Sequence, residues 1–231
     1  YYTNATKQLW RNLVELQPRT RGAGAGVSRE EYVARVARDI VARLPSELEV
    51  LPGQLAEPPT PTQIVLMQEM DRYHRLLRQM RLSLRDIQRA LAGEIGMSEE
   101  LDLLGSSLYN GYLPDQWRRL TPQTEKPLGS WMQHFERRYA QYRTRLHDGE
   151  PPVMRLSGLH IPESYHTALV QMACRKRGWP LDKSTLYTRV TPTTNPADIK
   201  ARPDFGCYIT GLYLEGAAWD LDRACLRRQD P

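Results

Sequence analysis

An α+β fold is what this sequence predicts: a mainly helical array organised by one long helix, followed by a smaller β-containing part. Three observations carry that expectation. From residue 62 to about residue 92, apolar residues recur in alternating steps of four and three, the spacing that keeps one edge of a helix dry. Helix start and stop signals, namely capping serines, prolines and glycines, flank that stretch on both sides. After residue 149 the texture changes to short β-branched and aromatic runs in near-alternation.

The first element is a helix over residues 3–17, with Leu9, Leu13 and Leu16 at helical spacing and an end near Gln17 and Pro18. "RTRGAGAGVSREE" follows, with Gly22, Gly24 and Gly26 at alternate positions. A phosphate cradle needs a strand feeding into it and usually a Lys or hydroxyl behind it. Here a helix leads in and no Gly-Lys-Ser or Gly-Lys-Thr follows, so the run reads as a flexible joint. Ser28 and Glu31 then form a capping box, in which hydroxyl and carboxylate each satisfy a free N–H. Val33, Val36, Ile40, Val41 and Leu44 mark one buried face, and Pro45 stops the helix. Residues 45–61, which hold Pro45, Pro52, Pro58, Pro59 and Pro61, cannot continue a helix and read as an ordered or swinging linker. A domain boundary is placed there.

The long helix comes next. Leu66, Met70, Tyr73, Leu77, Met80, Leu84, Ile87 and Leu91 keep an apolar seam along roughly 40 Å at ~1.5 Å per residue, and such a seam must pack on other helices. Arg72, Arg75, Arg78, Arg81, Arg85 and Arg89 run along its flank, partly offset by Glu69, Asp71 and Asp86. Two readings stay open for this stripe. It is a solvated face whose stems cover apolar neighbours, or it is a docking surface for an acidic partner, protein or nucleic acid.

Ser98 caps a shorter helix with Leu101, Leu104 and Leu108, which ends at Asn110 and Gly111, a pair suited to a left-handed turn. Residues 111–131 are an irregular crossing with Tyr112, Leu113 and Trp117 as anchors. Ser130 caps a further helix whose Trp131, Phe135, Tyr139, Tyr142 and Leu146 form an aromatic stripe, read as core. From residue 149, "PPVMRLSGLHIPESY" reads as a short strand, a turn, and a helix with Pro162 in its first turn that runs through Val170, Met172 and Ala173. Residues 183–190 and 205–216 look like two strands, joined by a long polar loop with Pro192, Pro196 and Pro203 that is expected to be mobile. In "GLYLEGAAWD", Gly216 allows a bulge or close approach, Trp219 packs, and Asp220 satisfies backbone donors at the strand end.

No reaction centre assembles from these residues, and no catalytic, cofactor-binding or metal-binding residue is expected. His160, Glu163 and His166 can be drawn as a metal trio, but the spacing fails the i, i+4 face of a helical zinc pair, and Pro162 separates His160 from the helix that carries His166. Cys174, Cys207 and Cys225 are odd in number and unpatterned, which suggests neither disulfides nor a zinc site and fits a reducing compartment. The +5 formal charge over 231 residues is mild for a nucleic-acid binder. No segment approaches the ~20 apolar residues of a membrane span. The start, Tyr1-Tyr2-Thr3, has neither an initiator Met nor a signal pattern, so the sequence reads as a soluble piece of something longer.

"GLYLEGAAWD" resembles the C-terminal signature of dynein heavy chains of the ciliary and flagellar type. The likeness continues in order through "LQPRT" with the glycine run and "SREE", "VLMQEMDRYHRLL", "SLYNGYLPDQW", "KPLGSW" and "DGEPPVMRLSGLHIPESYHTALVQMACRKRGWPLD". It covers most of residues 4–220. The resemblance implies that residues 1–45 are the helical end of the sixth AAA+ module, residues 46–148 the helical part of the C-terminal domain, and residues 149–231 its α/β part, a partial β-barrel. Family members usually continue with strands that complete this barrel, so an unpaired sheet edge is expected. By the same resemblance the segment is not an enzyme and holds no cofactor. ATP and Mg belong to earlier modules of a microtubule minus-end motor, and the stalk that meets the microtubule lies elsewhere. Its expected role is to brace and modulate the motor ring in the axoneme of a cilium or flagellum. Its expected partners are other AAA+ modules of the same heavy chain and dynein complex subunits, with neither nucleic acid nor membrane. The alternative is a basic helical module that binds nucleic acid through the arginine stripe.

Overall fold

A computed structural model of the protein describes residues 28–193, 195–211, 217–220, 222–223 and 225–228. The expected helix at 3–17, the glycine run and Gly216 lie outside these residues. Helix α1, Arg29–Arg43, starts on the expected capping box: Glu31 N–H donates to Ser28 Oγ at 3.1 Å, and Ser28 N–H donates to the Glu31 carboxylate at 3.1 Å. Its core face is Val33, Ala37 and Ile40. Val41, expected on that face, is 41% exposed, because one residue past Ile40 turns it ~100° away from the stripe.

Helix α2, Pro61–Leu91, is the long helix, capped by Thr60 and Gln63 with Pro61 in the first turn. Leu66, Met70, Tyr73, Leu77, Met80, Leu84 and Ile87 are all buried, and Leu91 packs on the core from its edge. The buried set is wider than the predicted seam, since Val65, Glu69, Leu76 and Ser83 are buried as well. The cause is architectural: α2 is packed by α1 and by later helices on more than one side. Residues 45–60, left open as ordered or swinging, are fastened along α2. Leu48 N–H donates to His74 Nε2 at 3.0 Å, Glu47 pairs with Arg78 at 3.1 Å, and Arg81 donates to the Pro45 carbonyl.

Helix α3, Glu99–Asn110, begins at Ser98 and ends on Gly111, whose φ of +74° accepts the left-handed turn that a side group on Cα resists. The crossing holds the one-turn helix α4, Asp115–Arg118, with Leu113 and Trp117 buried; Tyr112, expected as an anchor, is 36% exposed. Helix α5, Leu128–Asp148, starts two residues before Ser130, with Pro127 at the cap position and no capping hydrogen bond from a side group. Pro127 is extended at the cap, with ψ of 157°, and helical backbone begins at Leu128, so Ser130 lies inside the helix. The expected aromatic stripe is core: Trp117 stacks on Trp131 at 6.1 Å, Trp131 on Phe135 at 5.4 Å, and Phe135 on Tyr73 of α2 at 4.5 Å.

Strand β1, Val153–Arg155, a single helical turn at Leu156–Gly158, and helix α6, Pro162–Arg177, follow as read. β1 pairs in parallel with β2, Tyr208–Thr210, in the register Val153 to Tyr208 and Arg155 to Thr210. Strands β3, Ala217–Asp220, and β4, Cys225–Arg228, form an antiparallel pair. The turn between them is held by the Asp220 carboxylate, which accepts from the N–H groups of Asp222 and Arg223 at 3.0 Å each. That is the role expected of Asp220, although β4 itself was not expected. Residues 184–190 are a correction: they form no ladder, and Tyr187 is 83% exposed. Their β-branched and aromatic composition suits a sheet, but a strand exists only where a neighbouring strand accepts its hydrogen bonds. Among the described residues the four strands make two separate pairs and no closed barrel.

Leu77, fully buried at the middle of α2, tests this core. Leu77→Ala should lower the free energy of unfolding by about 2–5 kcal/mol in urea denaturation. Leu77→Asp should abolish the cooperative transition, because an unpaired carboxylate cannot be carried into that site. A native melting profile in the Asp variant would show that the seam is not core.

Candidate functional site

The most heavily connected polar group is Glu69, on the buried side of α2 with its carboxylate 0% exposed. One oxygen accepts from Ile161 N–H at 3.1 Å and from Arg72 Nη1 at 3.1 Å. The other accepts from His160 N–H and lies 3.1 Å from the Tyr142 hydroxyl. Tyr142 accepts in turn from Arg138 Nη2 at 3.1 Å and sits 2.8 Å from the Gly158 carbonyl, so its single proton serves Glu69 or Gly158 but not both at once. Arg138, itself 1% exposed, also donates to the Gly158 carbonyl at 3.2 Å. Burial pushes the pKa of the Tyr142 hydroxyl up to about 12, with Arg138 pulling the other way and Glu69 adding to the rise. The hub joins α2, α5 and the loop that leads into α6. With both oxygens taken by protein donors, Glu69 is placed to organise backbone rather than to move a substrate proton.

A second buried pair lies nearer the end of α5. Arg145, whose guanidinium and stem are 0% exposed, meets Glu150 at 2.7 Å, donates to the Thr62 carbonyl at 3.1 Å, and lies 5.2 Å from the Tyr165 ring centre. Tyr165 donates to the other Glu150 oxygen at 3.1 Å. Toward the start of α5, His134 Nδ1 faces an Arg155 guanidinium nitrogen at 2.5 Å. Guanidinium only donates, so His134 accepts there and carries its proton on Nε2. Burial, then Lys126 and Arg155, lower its pKa to about 4.

The arginine stripe is largely engaged within the protein. Arg72 pairs with Glu69, Arg75 with Asp71, Arg78 with Glu47 and Arg89 with Glu94, while Arg85 is exposed. Of the metal trio drawn from the sequence, His160 is held through its backbone by Glu69 and Pro162 opens α6 behind it; no group of metal-ligating residues assembles among the described residues. Cys174 is buried, and burial raises the Cys207 thiol above its ordinary value, which disfavours the thiolate. Gly211 opens the signature run against β1. A Cβ there would lie 2.7 Å from Ser157 Oγ and 2.9 Å from Arg155 Cγ, at a φ of +78°. Among the described residues no helix is long and apolar enough to cross a membrane.

Glu69→Ala would leave the Arg72 guanidinium and two backbone N–H groups without their acceptor and hand the Tyr142 proton to the Gly158 carbonyl alone, so it should cost about 3–5 kcal/mol in urea denaturation. Glu69→Gln, which keeps an acceptor, should cost less. An unchanged midpoint in the Ala variant would mean that the hub does not hold these elements together.

The family model for the C-terminal domain of dynein heavy chains matches residues 3–231. The sequence is 59% identical over its whole length to the dynein-1-alpha heavy chain of the flagellar inner arm I1 complex of Chlamydomonas reinhardtii. It is 48% identical, again over its whole length, to human dynein axonemal heavy chain 10. With the dynein beta chain of the flagellar outer arm of Chlamydomonas reinhardtii it shares 36% identity over 90% of its length. It spans 5% of the length of each of these relatives. Flagellar and axonemal names agree with the cytoskeletal, axonemal setting expected from the motifs. The protein belongs to the family of dynein heavy-chain domains that this model describes, the C-terminal domain.

Proposed function

We propose that this segment is a non-catalytic brace and modulator of the motor ring in an axonemal dynein heavy chain, part of a minus-end-directed microtubule motor that drives ciliary or flagellar beating. The observation that carries the reading is the hub at Glu69. The buried carboxylate and the buried arginines are committed to fastening helices and loops to each other, which suits a part that transmits force without doing chemistry. Residues 1–45 are assigned to the helical end of the sixth AAA+ module, 46–148 to the helical part of the C-terminal domain, and 149–231 to its α/β part. Val33, Ala37 and Ile40 of α1 lie in the same core cluster as α2, so the described part of the first segment would move with the second as one body.

ATP and Mg are assigned to earlier modules of the parent motor, and no cofactor to this segment. Its partners on this reading are the neighbouring AAA+ modules and the subunits of the dynein complex, with microtubules reached only through the parent motor's stalk. The internal pairing of Arg72, Arg75, Arg78 and Arg89 argues against the nucleic-acid alternative, since paired arginines release few counterions from a phosphate backbone.

Calorimetric titration of the intact 231-residue protein with ATP and Mg should give no saturable heat. Saturable binding with a micromolar dissociation constant would overturn the assignment of the nucleotide sites to other modules.

A further inference from the structure

A cavity of about 350 Å³ opens between the C-terminal half of α6, the 202–206 loop and the start of α2. Its apolar wall is Leu169 and Met172, and its rim carries Lys176, Arg202, Asp204 and Phe205. That volume is at the small end of ligand pockets and matches one large side group better than a nucleotide. The rim is electropositive. The last turn of α6 is Arg175, Lys176 and Arg177, and neither Lys176 nor Arg202 has an ion-pair partner among the described residues. This sets the cleft apart from the stripe on α2, where carboxylates already neutralise most of the arginines.

Lys176 and its neighbour Arg177 are also held against an aromatic ring. Lys176 Nζ lies 5.0 Å and the Arg177 guanidinium 4.6 Å from the centre of the Phe205 ring. Trp179, 53% exposed, stacks on the same ring at 6.1 Å. Cations kept on an aromatic face lose less freedom when an anion arrives, and an exposed tryptophan beside an apolar cavity is a common anchor of peptide interfaces.

We propose that this cleft docks an acidic peptide segment of a partner protein, which seats one aromatic or long aliphatic side group against Leu169 and Met172 and sets flanking carboxylates on Lys176 and Arg202. The charge pattern selects the partner. Asp204 repels any anion brought beside it, so the ligand's carboxylates must be discrete and placed on the two cations, and a continuous phosphate backbone fits this arrangement poorly. The inference concerns a surface of the protein and does not depend on the motor-ring role.

The probe is fluorescein-labelled Asp-Glu-Phe-Asp-Glu, capped at its C-terminus, with anisotropy read against the intact protein at low salt. Three further probes are its Asn/Gln counterpart, a version with Ala for Phe, and a thymidine oligonucleotide. Saturable binding of the acidic Phe peptide is expected, with affinity lower by about tenfold for the neutral peptide and for the Ala peptide. The surface pair Lys176→Glu with Arg202→Glu should weaken the acidic peptide to a similar degree, and Met172→Trp, which fills the cavity, should discriminate against Phe while leaving the circular dichroism spectrum native. Equal binding of the Phe and Ala peptides, or binding unmoved by the double variant, would overturn the proposal. So would tighter binding of the oligonucleotide, or no saturation at millimolar acidic peptide.

Discussion

Glu69 carries its carboxylate fully inside the protein, and much of the packing around the long helix follows from making that tolerable. A carboxylate taken out of water loses several kcal/mol of solvation unless its lone pairs are met by well-placed donors. Here they come from three places far apart in sequence: Arg72 one turn along the same helix, Tyr142 on α5, and the N–H groups of His160 and Ile161. Those two N–H groups sit just before Pro162, where α6 begins with no capping bond from a side group of its own. Glu69 thereby fastens the backbone at the start of α6 to α2, within the broader packing of the two helices.

The aromatic ladder supplies what the hub cannot. Polar networks are directional but contribute little net stability, whereas Trp117, Trp131, Phe135 and Tyr73 bury large apolar faces in a continuous stack from α4 through α5 to α2. Each ring with a polar handle finds a partner: Trp117 Nε1 donates to Ser83 Oγ at 3.0 Å, Trp131 Nε1 to Thr121 Oγ1 at 3.3 Å, and the Tyr73 hydroxyl to the Phe135 carbonyl at 3.3 Å. Dispersion and burial hold the helices against one another, and these few bonds select one arrangement among the many that would bury similar area.

Helices were legible in the sequence because their signals are local. The capping box at Ser28, the seam of α2, the left-handed end at Gly111 and the first turn at Pro162 each depend on residues within a few positions of one another. Strands were less legible because a ladder is a relation between distant segments: residues 184–190 have the composition of a strand and no ladder, while Cys225–Arg228 pairs with Ala217–Asp220 without a conspicuous pattern. The hub was missed for a different reason. Glu69 reads as one more flank charge beside the arginines, yet it is three residues from Leu66 and four from Tyr73, in phase with the seam. Arg138, three residues from Phe135 and four from Tyr142, stands in the same relation to the aromatic stripe of α5, and Arg145 follows Tyr142 by three. A charge in phase with an apolar face, on two helices that pack together, was the signal available for a buried network.

That distinction between charges engaged inside and charges left outside also decides where the molecule meets others. On α2, arginines are answered by Glu69, Asp71, Glu47 and Glu94, so their field at a distance is small. At the end of α6, no carboxylate among the described residues pairs with Lys176 or Arg202, and the Phe205 ring orients Lys176 and Arg177 without neutralising them. The two faces carry the same residue types and differ only in what stands opposite. Net charge over the whole sequence is therefore a poor guide to its contacts. The relevant quantity is the charge that folding leaves uncompensated, and at the end of α6 that charge adjoins an apolar cavity and the exposed Trp179.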